Sequence, residues 1–478
     1  MGSRRLRCWI SPLGLRPLFA IQHHSATNRY FSVNYCRLLL QFAKKLISLG
    51  ICFGIVLTLA ACGGGTKSGK SASKGKEVTM VVENADLDMY KEWFEEFEEK
   101  YKEEGYTVKP VPVGGGQIQG KQDNMMASGT APDIIVGGDI HILSQYKYLV
   151  PLDELIKRDN ADVDVDDFMP EIMDLLKKDG KTYYLPNFFN TSLLYYNKDL
   201  FDIYNANPSN ANAKLEYPQN DWTYDDFVNA AKKLTVKSGG EYSQWGCYST
   251  IGWWGEWLIH VRQAGGDIMN EEGLVTLDTP EAKAGFQRYM DKMYGENKVS
   301  FVTGQQELGG FSGKKTAMTY GGHLKDWSEF KKVKDFNWDV TLIPSVNGNR
   351  TGELSVNAFG IHKDSKSQEA AWALIKFLTR KRTGEELKNY PYISPRLSEK
   401  EERLAVPAEQ RPIPQNLEAV YESVKYNKIL PQQKYANYVI TKIIETELQK
   451  AIQSGKGVDE ALKNATNNAN KYIKTNYR

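Results

Sequence analysis

The residues with the most chemistry in their spacing are aromatic. Trp245, Tyr248, Trp253, Trp254 and Trp257 fall within thirteen positions, interleaved with Gly246, Gly252 and Gly255. Glycine beside tryptophan in a loop leaves indole faces open. Sugar rings offer C–H faces to such surfaces, and their hydroxyls need Asn, Asp, Glu, His or Arg nearby. Tyr320, His323 and Trp327 make a second group, and Asn187, Phe188, Phe189 and Asn190 a third. The bland alternative for any one of these rings is a buried aromatic core. Stretches that approach catalytic motifs fall short of them. Gly115–Gln122 has the glycine and lysine spacing of a phosphate loop, but Gln122 stands where a hydroxyl must reach Mg²⁺. Asp162, Asp164 and Asp166 start like a calcium loop, yet Asp167 occupies the glycine position and Met173 the position of the closing glutamate. His141, His260, His323 and His362 are far apart, without paired metal spacing. Gly310–Lys314 lacks the last glycine of a nucleophile elbow. No metal, cofactor or catalytic residue is expected, and the chain reads as a binding protein and not as an enzyme.

The elements that must position these rings follow from periodicity. Val78, Met80 and Val82 share one face of a strand near 77–82, and Tyr90, Trp93, Phe94, Phe97 and Tyr101 share one face of the helix after it. Short strands at 107–111 and 134–136, with a helix between them, continue an α/β parallel-sheet pattern, in which ligands bind beyond strand C-termini. Later strands are expected at 193–196, 316–319, 338–342 and 358–361. Helices are expected at 225–234, capped by Thr223 with Asp226, on the face of Ala370, Ala371, Leu374, Ile375 and Leu378, and over most of the chain from Tyr421.

Length and charge bound the function. The 478 residues suffice for two or three globular units. Residues 1–61 hold eight basic residues and no acid, which leaves 53 basic against 59 acidic residues after them. A body with a mild negative balance has no electrostatic footprint for nucleic acid. Lys44-Lys45, the uncharged run Leu46–Ala61 and the ending Leu-Ala-Ala-Cys have the anatomy of an export signal, and that ending resembles the bacterial lipobox with Cys62 as the lipidated residue. Gly63–Lys76 is a Gly/Ser/Lys tether. The expected organisation is therefore an extension over 1–40 that is not retained, a lipoprotein signal at 41–61 and a lipidated tether at 62–76. That extension carries six Arg and no Lys, unlike the rest, and is expected to be upstream sequence outside the true reading frame. The product is expected on the outer face of a membrane, in contact with it through the lipid.

Seven segments in order carry a family resemblance: Thr130–Ile134 (TAPDI), Gly180–Pro186 (GKTYYLP), Leu194–Phe201 (LYYNKDLF), Asp221–Phe227 (DWTYDDF), Lys315–Met318 (KTAM), Val356–Ile361 (VNAFGI) and Val458–Leu462 (VDEAL). Together they resemble the family 1 extracellular solute-binding proteins, the maltose-binding-protein-like group that serves ABC importers, over Glu77–Arg478. The resemblance implies an α/β, two-lobed periplasmic-binding-protein-like fold with hinge segments and an interlobe ligand cleft. It implies lobes at 77–187 plus 346–395 and at 188–345 plus 396–478, with crossings near Pro186–Asn190, Pro344–Gly352 and Tyr392–Arg396. The implied partners are a carbohydrate, expected to be an oligosaccharide, and the permease of an ABC importer, for a monomeric receptor. Carried over by position, Glu83 and Asn84 follow the first strand, and Asp139 and His141 fall at sugar-binding positions. Gly137 stands where maltose-type members offer an aromatic, which speaks against a maltodextrin. Asn190 replaces an acid at a crossing. Tyr320 and His323 sit where paired aromatics stack on sugar, with Trp327 the nearby indole. Phe188, Trp253, Trp254, Trp257 and Tyr435 complete the expected ligand set. The rival readings are a non-sugar solute on the same fold, such as glycerol phosphate, a polyamine or a metal chelate, and a surface glycan hydrolase or adhesin.

Overall fold

The structure, a computed structural model, describes residues 76–138, 143–249, 252–302, 308–324, 327–390 and 392–477. The predicted export signal, Cys62 and the tether up to Gly75 lie outside the described residues, as do Asp139 and His141.

Two five-stranded sheets organise the described chain. The first joins β1 (Glu77–Glu83), β2 (Thr107–Val113), β3 (Ile134–Gly137), β6 (Leu185–Thr191) and β12 (Leu354–Ile361) in the order β2-β1-β3-β12-β6. Strands β1, β2 and β3 are parallel, as the strand–helix alternation requires, while β12 enters antiparallel between β3 and β6. Val78, Met80 and Val82 point into the core. The Leu87–Lys100 helix buries Tyr90, Phe94 and Phe97 against this sheet, and the Gln368–Leu378 helix lies beside it with Ala370, Ala371, Leu374, Ile375 and Leu378 buried. A small hairpin of β4 (Lys177–Lys178) and β5 (Lys181–Thr182) precedes β6.

The second sheet joins β7 (Leu193–Asn197), β8 (Val236–Ser238), β9 (Glu241–Tyr248), β10 (Thr316–Gly322) and β11 (Trp338–Thr341) in the order β11-β7-β10-β9-β8. Only β9 and β10 run parallel. The helix Tyr224–Lys233 begins where predicted: Thr223 accepts from the Asp226 N–H, and Asp226 accepts from the Thr223 N–H at 2.9 Å. Such a reciprocal cap satisfies two otherwise orphaned donors. The Trp254–Gln263 and Pro280–Tyr294 helices share an apolar core with the C-terminal helices Glu445–Ser454 and Val458–Tyr477. Among the described residues, no helix is long and apolar enough to cross a membrane.

The chain passes between the sheets at three places. Ser192 alone separates β6 from β7. Pro186–Asn190, expected as a crossing, is the body of β6. Pro344 and Ser345 remain bonded to second-sheet neighbours, through Gln263 Nε2 to the Pro344 carbonyl (2.8 Å) and the Ser345 N–H to that of Trp222 (2.9 Å). The second change of sheet therefore falls at Gly352–Leu354. The third segment runs beside it at Asn427–Leu430, where the Leu354 N–H donates to the Lys428 carbonyl at 3.0 Å. Tyr392–Arg396, the other expected crossing, stays with the first sheet: the Phe189 N–H donates to the Ile393 carbonyl at 3.1 Å and that of Met169 to Pro395 at 2.8 Å. A buried knot ties the passages. Asn427 Nδ2 donates to Thr191 Oγ1 (2.7 Å) and the Ser192 carbonyl (3.1 Å), while its Oδ1 accepts from the Gly352 N–H (2.6 Å). Arg262 adds donors to the carbonyls of Gly352, Lys428 and Ile429. Buried backbone groups that leave a sheet need such partners.

Candidate functional site

The parallel strands β9 and β10 end together, and their C-terminal ends open onto a cavity of about 400 Å³ lined by Tyr248, Trp253, Gly310, Phe311, Thr319 and Gly321 among others. Backbone at strand C-termini is free to present side chains to a ligand, because pairing stops there. Gly321 has φ of 83°, and a Cβ there would meet Ile259 Cδ1 at 2.5 Å, so a glycine lets β10 bulge at the rim.

Trp253 stands at the N-cap of the Trp254–Gln263 helix, half-buried. Its indole folds over Gly255, where a Cβ would lie 2.3 Å from the ring, and it meets the His323 ring edge-to-face at 4.8 Å. Two backbone contacts pin the loop: the Gly252 N–H donates to Tyr289 Oη at 3.1 Å and the Trp254 N–H to Glu445 Oε1 at 3.1 Å. Burial raises the Glu445 carboxyl above its usual range, with the Trp254 N–H opposing. Behind the loop, Lys292 and Glu256 form a fully buried ion pair. His323, in turn, lies 3.1 Å from Asn190 Nδ2 through Nδ1 and 2.6 Å from Glu353 Oε2 through Nε2, and its carbonyl accepts from Tyr195 Oη at 2.8 Å.

On the first sheet, Glu83 Oε1 at the end of β1 accepts from the Gly116 N–H at 2.7 Å, and Asn84 is exposed. Phe188 stacks on Tyr392 with centroids 4.0 Å apart and planes at 9°. Tyr392 Oη donates to Asp86 Oδ1 at 2.5 Å. Burial, with the Asp86 carboxylate second, pushes the Tyr392 phenol up and keeps it neutral.

The expected ligand set divides accordingly. Trp253 lines the second-sheet cavity and touches His323, which in turn meets Asn190, and Glu83, Asn84 and Phe188 lie at the ends and face of the first sheet. Trp254 is half-buried against the helical layer. Trp257 and Trp327 are core, and Tyr320 is almost fully buried in the wall of the cavity. Trp257 is 0% exposed between helices, against Phe286. Tyr320, 1% exposed, donates to Gln263 Oε1 (3.0 Å) and stacks on His260. Trp327 donates its indole N–H to Tyr195 Oη at 2.7 Å inside the core. Tyr435 bonds the Gly273 carbonyl at 2.9 Å and packs on Tyr477, with the C-terminal helices and not with the cavity. Tyr392, Asp86 and Glu353 lie outside the expected set, and Tyr248 was named with the clustered aromatics but not placed in that set. Tyr392 and Glu353 sit in Pro- and Gly-rich links with no periodic signal, so only their neighbours in space reveal them. Among the described residues, no group of three or more His, Cys, Asp or Glu could hold a metal ion.

Two α/β sheets joined by three adjacent passages, with an aromatic cavity at strand C-termini beside them, define a two-lobed solute-binding fold. The bacterial extracellular solute-binding protein family matches residues 85–385, and the chain belongs to it. It is 25% identical to the galactooligosaccharide-binding protein of Bacillus subtilis over 378 residues, 74% of this chain and 82% of that one. It is 27% identical to an arabinooligosaccharide-binding protein of Halalkalibacterium halodurans over 177 residues, a match that spans 37% of this chain and only 36% of the relative. An ABC substrate-binding protein of Listeria monocytogenes in complex with cycloalternan superposes with a TM-score of 0.68 at 25% identity, over 84% of this chain and 99% of that one. A maltose-bound MalE3 of T. maritima shares the fold, with a TM-score of 0.63 at 23% identity over 83% and 99% of the two chains.

Proposed function

We propose that the protein is the substrate-binding component of an ABC importer, capturing an oligosaccharide between its two lobes and presenting it to a permease. The observation that carries this is the Trp253 indole, held open over Gly255 at the rim of the second-sheet cavity. A flat ring with Tyr248 and Thr319 nearby suits the C–H face and hydroxyls of a sugar. The naming of two relatives for galacto- and arabinooligosaccharides, and the sugars bound in two structural neighbours, support the same class. The lobes hinge at Ser192, Gly352–Leu354 and Asn427–Leu430. Closure shifts the population toward the form a permease recognises, without covalent chemistry. Glu83, Asn84, Phe188 with Tyr392, and Asp139 and His141 by resemblance, supply the first-lobe side. The protein acts as a monomer at the outer face of the membrane, tethered through a lipid on Cys62.

Titration calorimetry with galacto-, arabino- and maltooligosaccharides tests the reading. One class is expected to bind and be recovered uncleaved, and Trp253→Ala to weaken it at least tenfold, about 1.4 kcal/mol. Binding of glycerol phosphate or a polyamine alone would overturn the sugar, and recovery of cleaved glycan would overturn the receptor.

A further inference from the structure

We infer that His323 is a positioning residue whose neutral, Nε2-protonated ring ties strand β6 to the loop after β10 and sets the pose of Trp253, so that a second proton on the ring undoes the tie. This goes beyond the binding reading, because it concerns the proton inventory of the joint and not the solute.

The assignment starts from two backbone groups. The N–H groups of Leu324 and Thr191 both converge on one atom of the Asn190 amide, at 2.6 and 3.1 Å. Two donors can share only an acceptor, so that atom is the oxygen and the amide NH₂ is the group turned to His323 Nδ1, 3.1 Å away. The NH₂ only donates, so Nδ1 must present its lone pair. A neutral imidazole then carries its proton on Nε2, the nitrogen that lies 2.6 Å from Glu353 Oε2. Glu353 is 2% exposed, and this approach is a close polar contact and not an aligned hydrogen bond: neither carboxylate oxygen has a hydrogen-bond partner among the described residues. The three side chains belong to β6, to the loop after β10 and to the Gly352–Leu354 passage, so the joint spans both sheets. The Trp253 indole packs on the same ring in a T-shaped contact with centroids 4.8 Å apart.

A second proton would sit on Nδ1 and point at the Asn190 NH₂, donor against donor. Turning the amide over relieves that clash but aims the NH₂ at the Leu324 and Thr191 N–H groups. Either way the joint loses hydrogen bonds in a buried place, where an unmet donor is costly. The Glu353 carboxylate draws a proton onto the ring, and the amide opposes it. From β7, Tyr195 donates to the His323 carbonyl. From the Trp254–Gln263 helix, Arg262 reaches the Gly352 carbonyl and is balanced by Asp267 at 3.1 Å. From the C-terminal helices, Glu445 takes the Trp254 N–H. Strand β6 contributes no charge there, and Lys325 and Asp326 lie outside the described residues.

The test is ¹⁵N-histidine NMR on the full chain, with His323 assigned from a His323→Gln spectrum. At pH 7.5 the ring is expected to be neutral with its proton on Nε2; an Nδ1–H tautomer or an imidazolium at that pH would overturn the inference. Asn190→Asp keeps an oxygen for the two backbone donors and turns the second oxygen toward Nδ1, where it welcomes a proton. The His323 titration midpoint is then expected to rise by at least about one pH unit. The pH profile of Trp253 emission, taken as the difference from Trp253→Phe, should move with it. A midpoint unchanged by Asn190→Asp, or an emission profile that ignores it, would sink the positioning role. No solute enters the experiment, so its failure leaves the receptor reading standing, and failure of the calorimetry leaves this one.

Discussion

Trp253 and Trp257 lie four positions apart at the start of one helix, and the molecule uses them oppositely. Trp257 lies inside the helical layer against Phe286, with no exposure. Trp253, one residue ahead of the helix, leans back over Gly255 and faces His323 at the cavity. The contrast extends to the groups around them. The loop 252–254 is pinned by backbone N–H groups, whereas Tyr320 and Trp327 satisfy their polar tips inside the core, on Gln263 and Tyr195. An aromatic next to glycine is therefore open only where regular pairing has just ended.

Experiments that break this contrast follow in order of size. Trp257→Ala should cost about 3–5 kcal/mol of stability in denaturant unfolding, since a filled interhelical space is emptied. Trp253→Ala should leave the unfolding midpoint nearly unchanged while affinity falls at least tenfold; equal effects in the two assays for both tryptophans would erase the distinction. Lys292→Met removes the cation from the buried ion pair with Glu256, 1% exposed, and should also cost about 3–5 kcal/mol, with much of it recovered when Glu256→Leu is added. Gly255→Ala places a methyl where the indole lies and should lower affinity by less than Trp253→Ala. Its stability should hold, because alanine favours the helix by up to about 1 kcal/mol. A destabilised Gly255→Ala with normal binding would show that the glycine serves packing and not the pose of Trp253.

The smallest effect concerns pH. Burial, with Lys292 and Arg288 adding to it, holds His260 well below the usual histidine range, and neither ring nitrogen has a hydrogen-bond partner among the described residues. A histidine whose folded pKa is depressed binds fewer protons than its unfolded form, so stability is full above about pH 6.5 and falls as the pH drops below it. His260→Phe keeps the stack on Tyr320 and should flatten that acid-side loss in urea unfolding curves taken from pH 8 to 5. A slope the same as that of the wild type would place the acid sensitivity elsewhere.

Much of the scaffold was legible because its signals are local. The alternation of Val78, Met80 and Val82, the helical spacing of Tyr90, Phe94 and Phe97, and the Thr223/Asp226 cap each state within a few residues which side faces inward. The site was legible only in part. Trp253, Asn190 and His323 were singled out, and the structure brings the three into contact through His323. Tyr320 and Trp327 were drawn in by the same aromatic signal, because composition cannot tell which face of a strand is covered by a helix. Tyr392 and Glu353 were missed because their partners, Phe188 and His323, are 204 and 30 positions away in the chain.

What the residues determined by themselves is the kind of molecule: α/β layers, an aromatic supply for a solute, and no spacing for metal or nucleophile. Periodicity and motif order act over short range, so one dimension suffices to read them. The tertiary structure alone decided which rings stay open, that β12 enters antiparallel between β3 and β6, and that the third passage runs at Asn427–Leu430 instead of Tyr392–Arg396. Those outcomes depend on pairings between distant segments, and burial belongs to a position in space and not to a residue type.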